Sequence, residues 1–341
     1  MATFVDLFAG IGGMRLGFEA AGAGCVYAVE NNEFCRTTYR TNFGHGHEVG
    51  GDITKIHSAV IPAHDVLCAG FPCQPFSLAG VSKKNSLGQP HGFQDETSGT
   101  LFFHIARILE HHRPSMFLLE NVPNLLAHGK GRTFAVIIKT LEQDLGYSTS
   151  WRVINAQGWL PQRRKRLFIA GFRNPARWRG LDGIPVPDPM KGPKLKSILH
   201  PEDFSEDVEA PYTLHLGAQV NEKYTISEKL WTCLTNHAAK HRAKGNGFGY
   251  GLVGPDDVAR TLSARYGKDG GEILIRQLRS HRPRRLTPRE CARLMGFDRE
   301  GERRFEIPVS DTQAYQQFGN AVAPPVVEAV ARHMLWRPAD A

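Results

Sequence analysis

The stretch from Thr3 to Gly22 constrains the fold most. Residues 3–8, TFVDLF, are a short apolar run with β-branched and aromatic members; AGIGG follows, and Met14, Leu16, Phe18 and the neighbouring alanines then set a helical spacing that ends near Gly22. A strand, a glycine turn and a helix in that order open an α/β fold. Residues 25–30, CVYAVE, read as a second strand closing on an acid about 20 residues after the glycines, where α/β nucleotide folds place the carboxylate that holds a ribose. Arg15 stands where a dinucleotide fingerprint requires its third glycine, which counts against NAD or FAD.

The alternation continues. Asp52 in GDIT has the spacing of a strand end; residues 66–69 and 116–122 (MFLLENV) read as strands, 101–109 and 133–145 as helices, and 151–154 and 166–172 as two further strands. Such repetition predicts an α/β fold with a mostly parallel sheet and helices on both faces. Ligands of these sheets bind beyond the carboxyl ends of the strands, the edge to which Gly10, Glu30, Asp52, Cys73 and Glu120 are all assigned. At 341 residues the chain exceeds what one core usually holds, about 250 to 300 residues. After Phe172 the sequence is proline-rich and loses periodicity, so a boundary falls near residue 175. A larger lobe of residues 1–175 and 310–341 and a smaller irregular lobe of 176–309 are expected. In the latter, residues 287–295 form a helix with Thr287 as N-cap and Pro288 at its first position; 326–335 is the last helix of the chain.

Charge and cysteine usage narrow the chemistry. Residues 240–304 carry 16 Lys and Arg against 8 Asp and Glu, so the whole net charge of +8 sits there. Individual charges of such a run usually mark solvated surface; this concentration favours a polyanionic partner such as nucleic acid. The six cysteines (25, 35, 68, 73, 233 and 291) contain no C-x-x-C pair, which argues against a zinc site or a disulfide framework; no metal is expected. No apolar run spans a bilayer and no secretory signal opens the chain, so a cytoplasmic protein without membrane association is expected. Cys73 differs from the other five cysteines. In GFPCQPFS, residues 70–77, prolines flank the Cys73–Gln74 pair and fix the backbone, a rigidity that core filling does not need.

The series DLFAGIGG, Glu30, GDIT, GFPCQPFS, LLENV, PQRRKR, RRLTPRECARLMGF and FGNAVAPP resembles the DNA cytosine carbon-5 methyltransferases, in order and almost end to end. The resemblance covers residues 3–175 and 281–330 and leaves the stretch between as the variable target-recognition region. It implies a class I S-adenosylmethionine-dependent methyltransferase fold of Rossmann-like type, and the methyl donor S-adenosylmethionine, released as S-adenosylhomocysteine. The larger lobe becomes the catalytic, cofactor-binding domain and residues 176–309 the target-recognition domain.

Cytosine carbon 5 is a poor nucleophile until a thiolate adds at carbon 6 and turns the ring into an enamine. Cys73 matches that thiolate. Glu120 matches the acid that donates to ring nitrogen 3, and its place after a buried run makes a raised pKa plausible; an ion-paired acid at a strand end is the plain alternative. Arg164 and Arg166 match the two active-site arginines, whereas Arg163 and Lys165 alternate with them and face solvent. For the cofactor, Phe8, Gly10 and Gly12 match the glycine turn, Glu30 the ribose acid, and Asp52 and Ile53 the adenine contacts; Pro72, Leu101, Asn320 and Val322 match further lining. Asn31 departs from the larger apolar or aromatic residue usual there, and Ser98 from the arginine that touches phosphate.

The target base must be flipped from its duplex, at a cost of a few kcal/mol. Ser77, Lys83, Lys84, Arg242, Lys244, Thr261 and Arg265 are the expected DNA contacts, Thr261 and Leu262 matching the pair that anchors the recognition region. The expected partners are duplex DNA and a cognate restriction endonuclease of the same site, with the enzyme a monomer. A tRNA cytosine-5 methyltransferase, a DNA-binding member without catalysis and a dinucleotide oxidoreductase are the competing readings. The second would lack the cysteine or the glutamate.

Overall fold

The computed structural model describes residues 1–72, 101–174, 176, 180–214, 219–247, 249–278, 280–298 and 304–335. Cys73, Ser77, Lys83, Lys84 and Ser98 lie outside the described residues. The chain divides into two compact units, one of residues 1–154, 165–185 and 324–341, the other of 155–164 and 186–323. Both lobes are thus discontinuous in sequence. Residues 155–164 and 310–323 pack with the second unit, whereas the expected functional boundaries placed them in the larger lobe.

The first unit is built on strands β1 (Thr3–Leu7), β2 (Gly24–Val29), β3 (Val49–Gly50), β4 (Val66–Gly70), β5 (Met116–Asn121), β6 (Ser148–Asn155) and β7 (Lys165–Phe172), in the spatial order β3-β2-β1-β4-β5-β7-β6. The pairs from β3 through β5 are parallel, and β7 runs antiparallel to β5. The order reverses between β1 and β4, which creates a crevice beyond their carboxyl ends. Phe4, Val5, Leu67, Phe117, Leu119 and Ile169 are buried and make the strands two-sided hydrophobic runs. Helix α3 (Leu101–His112) buries Phe102, Ile105, Ala106, Ile108 and Leu109, the spacing of one helical face, against this core. Each such side chain contributes roughly 1.5–3 kcal/mol by leaving water.

Helix α1 (Gly13–Ala20) packs against α9 (Pro324–Leu335) so closely that a methyl group on Gly17 would lie 2.5 Å from Val327. Helix α2 (Glu33–Phe43) is an element the apolar pattern does not announce. Its threonines 37, 38 and 41 return their hydroxyls to the carbonyls four residues back, and the Asn32 side chain accepts from the Cys35 N–H to cap the start. The helix expected at 133–145 is α4 (Arg132–Lys139) continued by a π-turn over Thr140–Asp144.

The second unit contains the short strands β8 (Thr213–Leu214), β9 (Gln219–Val220), β10 (Leu252–Val253) and β11 (Leu274–Ile275), with helices α5 (Glu228–Ala243), α6 (Tyr266–Asp269), α7 (Pro288–Met295) and α8 (Asp311–Asn320). Its hydrophobic residues are supplemented by charge pairs. Arg284 donates two bonds to Glu290, at 2.7 and 2.8 Å, with both side chains buried, and Arg289 bridges Glu209 and Asp298. Thr287 caps α7 as its sequence predicts, in a reciprocal capping box with Glu290.

Candidate active site

Beyond Leu7, the end of β1, the backbone passes through three left-handed positions, Phe8 (φ 59°), Gly10 (φ 55°) and Gly12 (φ 89°). A non-glycine residue at such a φ costs of order 1–3 kcal/mol and marks a strained, functionally shaped turn. The two glycines are needed for different reasons. A Cβ on Gly10 would meet none of the described residues within 4 Å, so its surface is open among them, whereas a Cβ on Gly12 would overlap the Phe43 ring, so that glycine allows a close packing contact.

Glu30 follows β2 and faces this turn. Its Oε2 accepts the Gly10 N–H at 2.8 Å and its Oε1 accepts the Asn32 N–H at 2.7 Å. Each carboxylate oxygen keeps a second acceptor direction. Arg36 donates to the carbonyls of Glu30 and Asn31, at 2.9 and 2.7 Å, and locks the strand end. A fixed carboxylate beside an open glycine surface suits a ligand with vicinal hydroxyls and a polar tail, so the residues present fit S-adenosylmethionine.

Beyond β3, Asp52 caps the short 3-10 turn Ile53–Lys55. Its Oδ1 accepts from the Thr54 hydroxyl and N–H, which hold its carboxyl below the ordinary value. Ile53 is buried. Arg107, on α3, reaches across to this turn: it donates to the carbonyls of Ile56 and Ile53, at 2.9 and 3.4 Å, and to the Ser58 hydroxyl at 2.8 Å. His104, one turn on from Leu101, feels the charge of Asp52; burial first, then Arg107, holds its pKa below the ordinary value.

At the end of β4, Gly70 pairs in register with Glu120 of β5. Asn121 donates its side-chain N–H to the Phe71 carbonyl at 2.8 Å, which fixes the chain just before the exposed Pro72, while its Oδ1 accepts the Val122 N–H. Glu120 Oε1 lies 3.0 Å from Arg166 Nε on β7, with both side chains more than four-fifths buried. Burial lowers the Arg166 pKa and Glu120 opposes that shift. Gly10, Glu30, Asp52 and Glu120 therefore stand, as their sequence positions predict, at the carboxyl ends of β1, β2, β3 and β5, four parallel strands of one sheet.

Arg164 belongs to the second unit. Its fully buried guanidinium donates to the carbonyls of Leu262, Gly319 and Ala321 at 2.9, 3.0 and 2.6 Å. Thr261 donates its hydroxyl to the Arg163 carbonyl. Arg163 and Lys165 are exposed, as expected of the alternate positions. Asn320 is an exposed last residue of α8, Val322 is half-buried after it, and Arg242, Lys244 and Arg265 are exposed. Asn121, Arg36 and Arg107 are supports that the residue pattern alone does not single out.

The comparisons with known proteins agree with this geometry. The family of C-5 cytosine-specific DNA methylases matches residues 2–336. The chain is 47% identical to the DNA-cytosine methyltransferase of Escherichia coli K12, over 96% of this chain and 76% of that protein. To the Type II methyltransferase M.NlaX of Neisseria lactamica it is 45% identical, over 98% of this chain and 96% of that one. Among solved structures, a mutant of Spodoptera frugiperda DNMT2 superposes with a TM-score of 0.71 at 19% identity, covering 98% of this chain and all of its own, a likeness of fold. With the motifs in order, the strand-end carboxylates in place and a family match over nearly the whole length, the chain belongs to the C-5 cytosine-specific DNA methylases.

Proposed function

We propose that this DNA cytosine-5 methyltransferase, whose methyl donor is S-adenosylmethionine, works through the thiolate of Cys73 on a cytosine flipped out of a short specific duplex sequence. The Glu120–Arg166 pair at the end of β5 carries this reading, because the segment bearing Cys73 leaves the sheet at Gly70, the register partner of Glu120. The Cys73 sulfur forms a bond to cytosine carbon 6 while Glu120, as the acid, gives its proton to ring nitrogen 3. The resulting enamine attacks the methyl carbon, whose bond to sulfur breaks and leaves the sulfide product. Loss of the carbon-5 proton to a base lets its electron pair form the 5,6 double bond and expel the thiolate, and ring nitrogen 3 returns its proton to Glu120. Arg166 holds Glu120 and reaches the cytosine carbonyl oxygen; Arg164 acts as a positioning residue that fixes Thr261–Leu262 against the end of α8.

Bound S-adenosylmethionine supplies an electrophilic methyl on a sulfonium. Glu30 binds its ribose hydroxyls, Gly10 with Phe8 accepts its methionine end, and Asp52 and Ile53 border its adenine. Pro72, Leu101, Asn320 and Val322 complete the lining, and Gly12 contributes by allowing the turn. In the recognition region, residues 176–309, Arg242, Lys244, Thr261 and Arg265 bind DNA, joined by Ser77, Lys83 and Lys84 from the loop after Cys73. The family match and the DNA-methyltransferase names of its relatives favour DNA over tRNA as substrate.

Several relatives are named Type II methyltransferases, which supports a place in a restriction-modification pair, with a cognate endonuclease as partner and the enzyme a monomer on DNA in the bacterial cytoplasm. Among the described residues no helix is long and apolar enough to cross a membrane.

Transfer of labelled methyl groups to duplex DNA and to tRNA, with bisulfite sequencing of the modified duplex, tests the function. Incorporation into tRNA alone would overturn it. Cys73→Ser abolishes transfer while cofactor binding persists; unchanged turnover would refute the nucleophile.

A further inference from the structure

Helix α5 (Glu228–Ala243) has 16 residues and buries none of them. The helix is nevertheless two-sided. Trp231, Leu234, Thr235, Ala238 and His241 are half-buried at a spacing of three and four, Trp231 meeting Tyr250 edge to face with ring centroids 4.8 Å apart and His241 bonding Asn246. That face rests on the second unit. The opposite midline carries Lys229, Cys233, Asn236 and Lys240, at i, i+4, i+7 and i+11, and all four are exposed.

No acid lies on this stripe. The helix has one carboxylate, Glu228, and it is turned to His281 at 2.9 Å and Arg282 at 3.7 Å. Lys229 and Lys240 are 11 residues apart, so their Cα atoms are separated by about 16 Å along the axis. The major groove of B-DNA is about 12 Å wide. Two lysines at this separation reach phosphates on its two sides, and the short Cys233 and Asn236 between them let the helix come close to the base edges. The last turn adds Arg242 and the C-cap Lys244 to the same polyanion-seeking end.

We infer that the outward stripe of α5 docks on duplex DNA, with Lys229 and Lys240 on phosphates and Asn236 facing a base edge in the major groove. This rests on DNA being the substrate and names the element that meets it. Exposed lysines on a stable helix are ordinary, but a helix with a weakly buried inner face, an outer face free of acid and a neutral polar centre is shaped for a partner of opposite charge.

The test uses the full-length protein and a library of random-sequence duplexes of one length. Binding is measured by fluorescence anisotropy across a salt series, beside the affinity for S-adenosylhomocysteine. The double variant K229A/K240A lowers duplex affinity about tenfold or more and reduces the slope of log affinity against log salt by about 1.8, at 0.9 per phosphate lost. Asn236→Ala leaves that slope in place and changes which duplexes are selected. Peptide-resolved alkylation of Cys233 by a maleimide, on the unaltered protein, slows severalfold when duplex is added. An unchanged slope in the double variant, with product affinity intact, overturns the inference while wild-type duplex binding still upholds the substrate. If the variant loses product affinity, the Cys233 footprint decides, and equal alkylation with and without duplex overturns it.

Discussion

Arg166 and Glu120 meet diagonally across the antiparallel β5–β7 pair. Glu120 stands opposite Phe168, so the side chain two residues before Phe168 leans over it and Nε comes to 3.0 Å from Oε1. A planar guanidinium holds the carboxyl in one orientation, which a flexible ammonium cannot. Arg166→Lys therefore lowers kcat by about tenfold or more and leaves the affinity for S-adenosylhomocysteine within twofold. Single-turnover methyl transfer measures the first and calorimetric titration the second; equal losses in both would remove Arg166 from the chemistry.

Arg107 joins α3 to the turn that follows Asp52, the turn proposed to border adenine. Its three described bonds hold two carbonyls and a hydroxyl of residues 53–58, and Arg107→Ala leaves those acceptors to water and loosens Ile53 and Asp52. The expected result is about a tenfold weaker S-adenosylhomocysteine affinity with the KM for duplex unchanged, and partial recovery in Arg107→Lys. A rise in both constants together would mean general unfolding instead.

Asp6 lies on β1, with no exposed surface, and neither of its oxygens makes a hydrogen bond of ordinary geometry. Burial pushes its pKa up to about 8, partly offset by Arg15 and aided by Glu30. The folded protein thus keeps a proton that the unfolded chain gives up from about pH 4, and stability falls as pH rises from there to about 8. Asp6→Asn removes this cost. The stability of the variant minus that of the wild type, from denaturant titrations, grows between pH 5 and pH 8 and levels above; a difference independent of pH would show that Asp6 is ionised in the fold.

Glu290 illustrates the opposite case. Burial alone would raise its pKa, but Arg284 and the bonds they share bring it down to about 2. Its stabilising contribution is present above the ordinary carboxylate range and is lost as pH falls toward 2. Glu290→Ala leaves the Arg284 cation buried and removes the α7 capping box, a loss of about 3–5 kcal/mol. Thermal unfolding at pH 7 checks this, and a loss below 1 kcal/mol would mean that water reaches Arg284.

Glu30 and Glu120 were legible because each closes a short apolar run, Asp52 by the spacing of its GDIT motif, and a parallel sheet sends every such end to one edge. Glu30 and Asp52 needed no partner to be recognised. Arg107 and Arg164 were harder to place, since most of their bonds run to backbone carbonyls 51 to 157 residues away and a carbonyl leaves no trace in side-chain pattern. Helices α2 and α5 escaped for a related reason. Threonine-rich or polar on most faces, they carry too little apolar periodicity to be read, and depend on caps and tertiary packing for their form. Gly12 matches the glycine turn by its motif, and what a Cβ there would meet is the ring of Phe43. A glycine in a motif does not say what it makes room for.

The contact of Gly17 with Val327 joins α1 to a helix that follows every residue of the second unit. During synthesis, the outer face of α1 stays uncovered until more than 300 further residues have been made. Residues 186–323, most of the second unit, are all made in that interval, so the order of synthesis places the second unit before the closure of the first. A ribosome stalled just before residue 324 would hold a chain with every residue of the second unit and an unfinished first unit.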